Sequence, residues 1–221
     1  MSTMNASAFE HRLRPLADLE RAVPMRAYMK DQFAFLGLPA PVRRAAVKDL
    51  VAAHPQDPGH LLGTAEALWR LPEREFRYTA IDLLHHHHRR LAPAQLPRLQ
   101  DWLLRDSWWD TVDGLAAVIG RIVLAGRGAQ VTMDAWIAHP DFWVRRAAML
   151  HQLGWKGATD TARLGRHALL LAEEREFFIR KAIGWALRDY ARTDPAFVRA
   201  FVDAHRARLS PLSLREAAKH C

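Results

Sequence analysis

Apolar positions along the chain return at helical intervals: Ile81 and Leu84 follow Phe76, and Ile179, Ile183 and Ala186 follow Phe178. Alternation of the kind that marks strands is nearly absent. The pattern also repeats on a longer scale. An alanine followed by apolar positions recurs at Ala45, Ala80, Ala116, Ala147, Ala182 and Ala217, at intervals of 35, 36, 31, 35 and 35 residues. A second marker, Trp69, Trp102 and Trp136, lies 11, 14 and 11 residues before the alanines of the middle units. Between marker and alanine stand residues that stop and restart helices: Leu71-Pro72-Glu73, Asp106-Ser107 and His139-Pro140-Asp141. Each unit therefore reads as helix, short turn, helix.

A period of this length, built of helix pairs, predicts an all-α chain: an α-solenoid in which each pair buries its apolar face against its neighbours. The Trp-Leu-Gly and Tyr markers of tetratricopeptide repeats are missing, so the units are expected to be HEAT-like, about six of them, filling residues 1–221 as one domain. Ala8 to Leu19 is expected to be a capping helix, and Pro24 to Phe35 to lead into the first full unit. The glycine stretches Gly126-Arg127-Gly128 and Gly154 to Gly157 are expected to be loops. Stacked pairs curve and offer a concave face lined by their second helices. The residues just before the repeat alanines are Arg44, Thr79, Leu115, Arg146, Lys181 and Glu216. Arg44, Arg146 and Lys181 are thus expected to form a basic stripe on that face, with Arg43 beside the first of them.

Charge sharpens this expectation. Lys+Arg of 32 against Asp+Glu of 24 gives a net charge of +8, and the pI is near 10.3. A surplus of this size points to an anionic partner, nucleic acid ahead of membrane or acidic protein. The single cysteine, Cys221, excludes disulfides and multi-cysteine metal sites. Residues Met1 to Ala8 carry no apolar signal core and no run of about 18 apolar residues occurs, so the chain is expected to be soluble and cytoplasmic. One copy suffices to bind a duplex, so a monomer is expected.

The chemistry concentrates in Ser107-Trp108-Trp109-Asp110-Thr111-Val112-Asp113. Ser107 and Asp110 read as the start of a helix, a hydroxyl cap with an acid at the positive end of the dipole. Asp113 lies too deep to serve those amides. Counted from the repeat alanine, its register is held elsewhere by Val42, Arg77, Val144, Ile179 and Leu214, so a carboxylate there breaks the local rule. Trp109, four residues earlier, shares its helix face. An indole face beside a group that only accepts hydrogen bonds is a setting that stabilises positive charge. Packing supplies an equally simple account of any one tryptophan, and an internal hydrogen bond an equally simple one of Asp113. The run His85 to His88 reads as a solvated helix end, because no carboxylate stands at ligand spacing and no third ligand is evident. Phosphate-loop and Gly-x-Ser-x-Gly nucleophile patterns are absent.

Several blocks together resemble the AlkD-type DNA glycosylases, HEAT-like-repeat enzymes that excise alkylated purines. They are Tyr28-Met29-Lys30 with Phe35-Leu36-Gly37, Leu71 to Phe76, Ser107 to Asp113, Trp143 to Ala148, Phe177 to Trp185 and Leu212 to Ala217. The resemblance covers nearly the whole chain. It implies that Asp113 is the catalytic carboxylate, that Trp109 and Trp185 contact the deoxyribose of the lesion, and that Arg146 holds a nearby phosphate, with Arg145 as its rival for that role. Arg188 would be a further backbone contact, and Arg43, Arg44, Arg145 and Lys181 would face DNA. The implied partner is double-stranded DNA carrying alkylated bases. No cofactor is implied. Relatives on the same scaffold that lack these site residues lack the activity; this chain keeps all four. On this reading Asp113 must not be consumed by an internal ion pair or turned to the outer curve.

Overall fold

The structure is a computed structural model that describes residues 6–55, 57–126 and 128–220, the side chain of residue 220 excepted. Among the described residues there are fourteen α-helices, short 3-10 turns and no strand beyond an isolated bridge between Ala34 and Glu73. The chain is all-α, as its periodicity requires. It divides into two compact units, Met1–Leu91 and Ala92–Cys221.

The first unit holds α1 (Ala6–Leu13), α2 (Leu19–Tyr28), α3 (Ala40–Ala46), α4 (Lys48–Ala52), α5 (Pro58–Trp69) and α6 (Arg74–His86). The expected cap over Ala8 to Leu19 is two helices, because Pro15 sits in a 3-10 turn, Arg14–Leu16, between α1 and α2. A proline ring there removes the amide that would continue the ladder. Asp18 then restarts the chain as the N-cap of α2, its side chain accepting from the amide of Arg21 at 3.0 Å.

The second unit holds α7 (Leu96–Leu103), α8 (Trp109–Ala125), α9 (Gln130–Trp136), α10 (Phe142–Leu150), α11 (Thr161–Leu170), α12 (Phe177–Ala191), α13 (Pro195–Ala204) and α14 (Pro211–Ala217). The starts are written in the sequence. Asp141, Asp160, Glu176, Asp194 and Ser210 each cap the helix that follows by accepting from a first-turn amide, and Pro195 and Pro211 open their helices where the missing N–H costs nothing. Within this unit the second helices of successive pairs lie side by side, α8 on α10, α10 on α12 and α12 on α14. The repeat alanines explain why these helices come so close. Ala116, Ala147, Ala182 and Ala217 are all buried, each a position where a larger side chain would hold these helices apart, and Ala80 of α6 is buried within the first unit. Ala45 departs from the pattern: it is exposed, and Val47, just past the end of the short α3, takes the core place.

Two glycines mark the tightest approaches. A Cβ on Gly120 of α8 would stand 2.0 Å from the carbonyl oxygen of His151, and one on Gly184 of α12 would stand 2.4 Å from the Glu216 Cβ of α14. The marker tryptophans Trp69, Trp102 and Trp136 are core residues, as are Trp143 and Trp155, while Trp108, Trp109 and Trp185 remain partly exposed. The stretch Gly154 to Gly157 is a loop ending in a 3-10 turn, Lys156–Ala158. The other glycine stretch includes Arg127, and both it and Cys221 lie outside the described residues. No described helix is long and apolar enough to cross a membrane.

Candidate functional site

The site forms where α8, α10, α12 and α14 stack in the second unit. Its first residues lie at the start of α8, though not as the capping pattern predicts. Ser107 points backwards, its hydroxyl donating to the carbonyl of Leu103 at the end of α7, and the N-cap position falls to Trp108, which has no side-chain cap. Ser107 thus closes one helix and leaves the next to be held by packing. The Trp108 ring leans on Phe178 and Trp143, with centroids 5.2 and 5.8 Å away, and Trp143 and Phe178 are 4.9 Å apart. This aromatic wall anchors the first turn of α8. Trp109 begins that turn and Asp113 follows one turn later on the same face.

Asp113 occupies the register that Val144 of α10 and Ile179 of α12 fill with fully buried aliphatic side chains. Its carboxylate is met by Arg146 of α10. Arg146 Nε donates to Oδ1 and Nη2 to Oδ2, both at 2.8 Å, while Nη1 donates to the carbonyl of Phe178. The Arg146 side chain is 1% exposed and that of Asp113 21%. The carboxylate is therefore the outward end of the pair and the guanidinium the inward end. Burial pushes the Asp113 carboxyl above its ordinary value of 3.8, opposed by the hydrogen bonds and charge of Arg146 and aided by the charge of Asp110.

In this geometry Arg146 is turned to Asp113 and not to solvent, where the resemblance implied a phosphate contact: its guanidinium is buried behind the carboxylate and bonded to a main-chain carbonyl. It also supplies the internal ion pair that counts against a catalytic Asp113. What keeps the carboxylate available is its orientation: each oxygen gives one hydrogen bond's worth of acceptor capacity to Arg146 and retains more. Arg145, the rival of Arg146 for the phosphate role, is engaged as well. It pairs with Glu174 through Nε and Nη2, at 2.6 and 2.9 Å, and Nη1 bonds the carbonyls of His139 and Pro140. Every nitrogen of that guanidinium is engaged in tying the α9–α10 turn to the segment before α12.

Beyond Arg146 lies Trp185 of α12. Its ring centroid is 5.5 Å from the Arg146 guanidinium carbon, 5.6 Å from that of Arg188 and 5.7 Å from Lys181 Nζ. Lys181 and Arg188 are bound in turn by Glu216 of α14, at 2.7 and 2.9 Å. Trp109, Asp113, Arg146, Trp185, Lys181 and Arg188 thus all fall on the neighbouring second helices of one unit.

Arg43 and Arg44 belong to the first unit. Arg43 is buried, donates to Thr79 Oγ1 and pairs with Asp82 at 2.8 Å; desolvation pulls its guanidinium below the ordinary range. Arg44 is largely exposed and pairs with the same Asp82 through two hydrogen bonds. Of the two, only Arg44 presents charge to solvent. The histidine run ends α6 but is solvated only in part: His85 and His86 are exposed, while His87 is buried and donates to the carbonyl of Val51, and His88 bonds that of His85.

The sequence reading missed Glu216, Lys219 and Phe178 as site residues. Glu216 carried a signal, since it stands at the register that Arg146 and Lys181 hold in the preceding helices, with its charge reversed. Phe178 acts through its ring and its carbonyl, and a main-chain role leaves no mark in the sequence.

Comparison with known proteins bears on this arrangement. Residues 9–221 match the family of the DNA alkylation repair enzymes. The chain is 34% identical to a predicted DNA alkylation repair enzyme from Enterococcus faecalis, with a TM-score of 0.85, over 92% of this chain and 96% of that one. AlkD2 from Streptococcus mutans shares the fold at 19% identity, with a TM-score of 0.63, over 78% and 86% of the two chains. No curated protein matches. A family match over all but the first residues, together with a relative of this identity and coverage, places the chain in the DNA alkylation repair enzyme family.

Proposed function

We propose that the chain, acting as one domain over residues 1–221, is a DNA glycosylase that hydrolyses the N-glycosidic bond of cationic alkylated purines in duplex DNA. The observation that carries this is the Asp113–Arg146 pair: a carboxylate set at a core register, held in a fixed plane by the more deeply buried Arg146, with Trp109 one helical turn before it and Trp185 against Arg146.

Alkylation at N3 or N7 makes the purine a cation, so it departs as a neutral base and needs no strong acid. The difficulty is the positive charge that grows on the deoxyribose as the bond lengthens. A preorganised carboxylate stabilises that charge without reorganising, and indole faces add to it. Arg146 offsets part of the carboxylate's charge, but it is the more deeply buried partner, so a sugar approaching from solvent meets the negative end first. The same oxygen can orient the attacking water. Lys181 and Arg188 beside Trp185 supply charge for a phosphate, and Arg44 of the first unit a further contact.

Three cavities, of about 520, 430 and 510 Å³, are lined by residues other than Asp113, Trp109 and Trp185, the first by α11 and α13. Reaction without drawing the base into a deep pocket, which the AlkD-type resemblance implies, departs from base flipping.

A second reading has one observation in its favour. The same Asp113–Arg146 pair is what a non-catalytic, nucleic-acid-binding helical array would use to tie α8 to α10. Incubating the protein with methylated duplex DNA and measuring released bases separates the two. Release of 7-methylguanine and 3-methyladenine supports the glycosylase; retention of both bases with DNA binding intact supports the array.

A further inference from the structure

Glu216 is 4% exposed, yet it carries no counterpart in the chemistry above. Its surroundings are unusual for a buried acid. Oε1 accepts from Lys181 Nζ at 2.7 Å and Lys219 Nζ at 3.0 Å; Oε2 accepts from Arg188 Nη1 and Lys219 Nζ, both at 2.9 Å. One carboxylate is thus shared by three cations. Against the opposing effect of burial, Lys181 and Lys219 hold its carboxyl well below the ordinary range, at about 2, so it stays ionised across the working pH range.

The placement is as specific as the charge. Lys181 and Arg188 lie seven positions apart on α12 and flank Trp185, and both reach across to α14 to meet Glu216. The backbone makes this reach short. Gly184, the residue before Trp185, faces the Glu216 Cβ so closely that any side chain at 184 would collide with it. Ser213, one turn before Glu216, donates its hydroxyl to the Arg180 carbonyl at 2.8 Å and locks α14 to α12 in register. Two further features set Trp185 apart from a packing tryptophan. Its ring sits among three cations, and its indole N–H is buried without a protein acceptor.

Summing the cluster leaves one negative charge against Lys181, Arg188 and Lys219. Glu216 does not neutralise the site; it allows Lys181, Arg188 and Lys219 to stand together, two of them over the Trp185 ring, where their repulsion would otherwise part them. We propose that Glu216 is a positioning residue that draws Lys181 and Arg188 against Trp185 and holds Lys219 beside them, fixing that ring and leaving a surplus of positive charge for a DNA phosphate. This rests on the glycosylase reading for the role of Trp185, and on geometry alone for the gathering.

The test compares wild type with Glu216→Gln on methylated duplex DNA, reading kcat and KM separately. The variant keeps the shape and removes one negative charge. Attraction of the phosphate is preserved or raised, while the cations spread and Trp185 shifts. The expected result is a fall in kcat of about tenfold or more with KM unchanged or lower. Removing a cation should then relieve the strain, so Lys219→Met added to Glu216→Gln recovers part of kcat, a gain that mere loosening of the fold would not give. An unchanged kcat, or a raised KM with kcat intact, overturns the proposal. Should Glu216→Gln fail to fold, Glu216→Asp, which withdraws the same charge by one methylene, carries the same two outcomes.

Acrylamide quenching of Trp185, read as the difference between each protein and its Trp185→Phe counterpart, stands apart from activity. Greater quenching in Glu216→Gln supports the gathering role even if wild type releases no base, a result that would reject the glycosylase reading instead. Equal quenching overturns the gathering role.

Discussion

Asp113 and Arg146 divide the work of one site. Arg146 gives the carboxylate a bidentate, planar anchor that a lysine cannot reproduce. Replacing it with lysine should therefore lower kcat by about tenfold or more and leave KM near that of wild type, because the residue sets the angle of Asp113 and does not touch the phosphate. A raised KM with kcat preserved would restore the phosphate role that sequence alone assigned. The same pair sets the pH dependence. Because burial raises the Asp113 carboxyl above 3.8, the ionised form is lost earlier on acidification than for an exposed aspartate. The reaction needs the anion and the cationic lesion needs no acid. Activity, corrected for acid-catalysed depurination, should be level at neutral pH and fall as pH drops through a midpoint above the ordinary carboxylate value. Arg145, one residue away, gives the contrast. All its donors serve Glu174 and two carbonyls, so Arg145→Met should lower Tm and leave affinity for duplex DNA within about twofold, since it removes no phosphate contact.

At the scale of helices, the second helices approach through alanine and glycine, and this closeness is what carries side chains from one repeat to the next. Gly120 shows how little room there is. A methyl group there would meet the His151 carbonyl, a backbone atom that cannot swing aside, so Gly120→Ala should cost about 2 kcal/mol or more in denaturant unfolding. The helices themselves were legible: the 35-residue recurrence, the capping aspartates and the buried Trp69, Trp102 and Trp136 all follow from spacing and residue type. The start of α8 was not, because Ser107 had two helix ends within reach and bonded the one behind it. The pairing of charges was also hidden, for a different reason. Periodicity assigns a side chain to a face but does not say which acid on the next helix will meet it. Asp113 and Arg146 are 33 positions apart, Lys181 and Glu216 35, close to one repeat. Opposite charges separated by the repeat length were therefore a sign of contact across helices, and the cations expected to form a basic stripe, Arg44, Arg146 and Lys181, each meet an acid.

For the molecule as a whole, the surplus of +8 already counts every acid, so ion pairing does not shrink it but decides where on the surface it stands. On the proposed function, phosphate contact is expected at clusters where cations outnumber acids, among them Lys181, Arg188 and Lys219 around Glu216. Binding to duplex DNA should weaken with salt, with log K falling by roughly 0.9 per unit of log salt concentration for each phosphate held. Membership of the DNA alkylation repair enzyme family was readable from motifs spread through the chain, whereas the division into two compact units was not, since the repeat pattern runs through Leu91 without interruption. The central claim is that the outward carboxylate of Asp113 drives base release, and it is tested most directly by comparing wild type with Asp113→Asn on methylated duplex DNA. The substitution removes the charge and leaves Arg146 buried with an amide, so the comparison is made at a temperature where circular dichroism shows the variant folded. The account predicts that release of 7-methylguanine falls by about 10²-fold or more while DNA binding persists; release at the wild-type rate by the folded variant would contradict it.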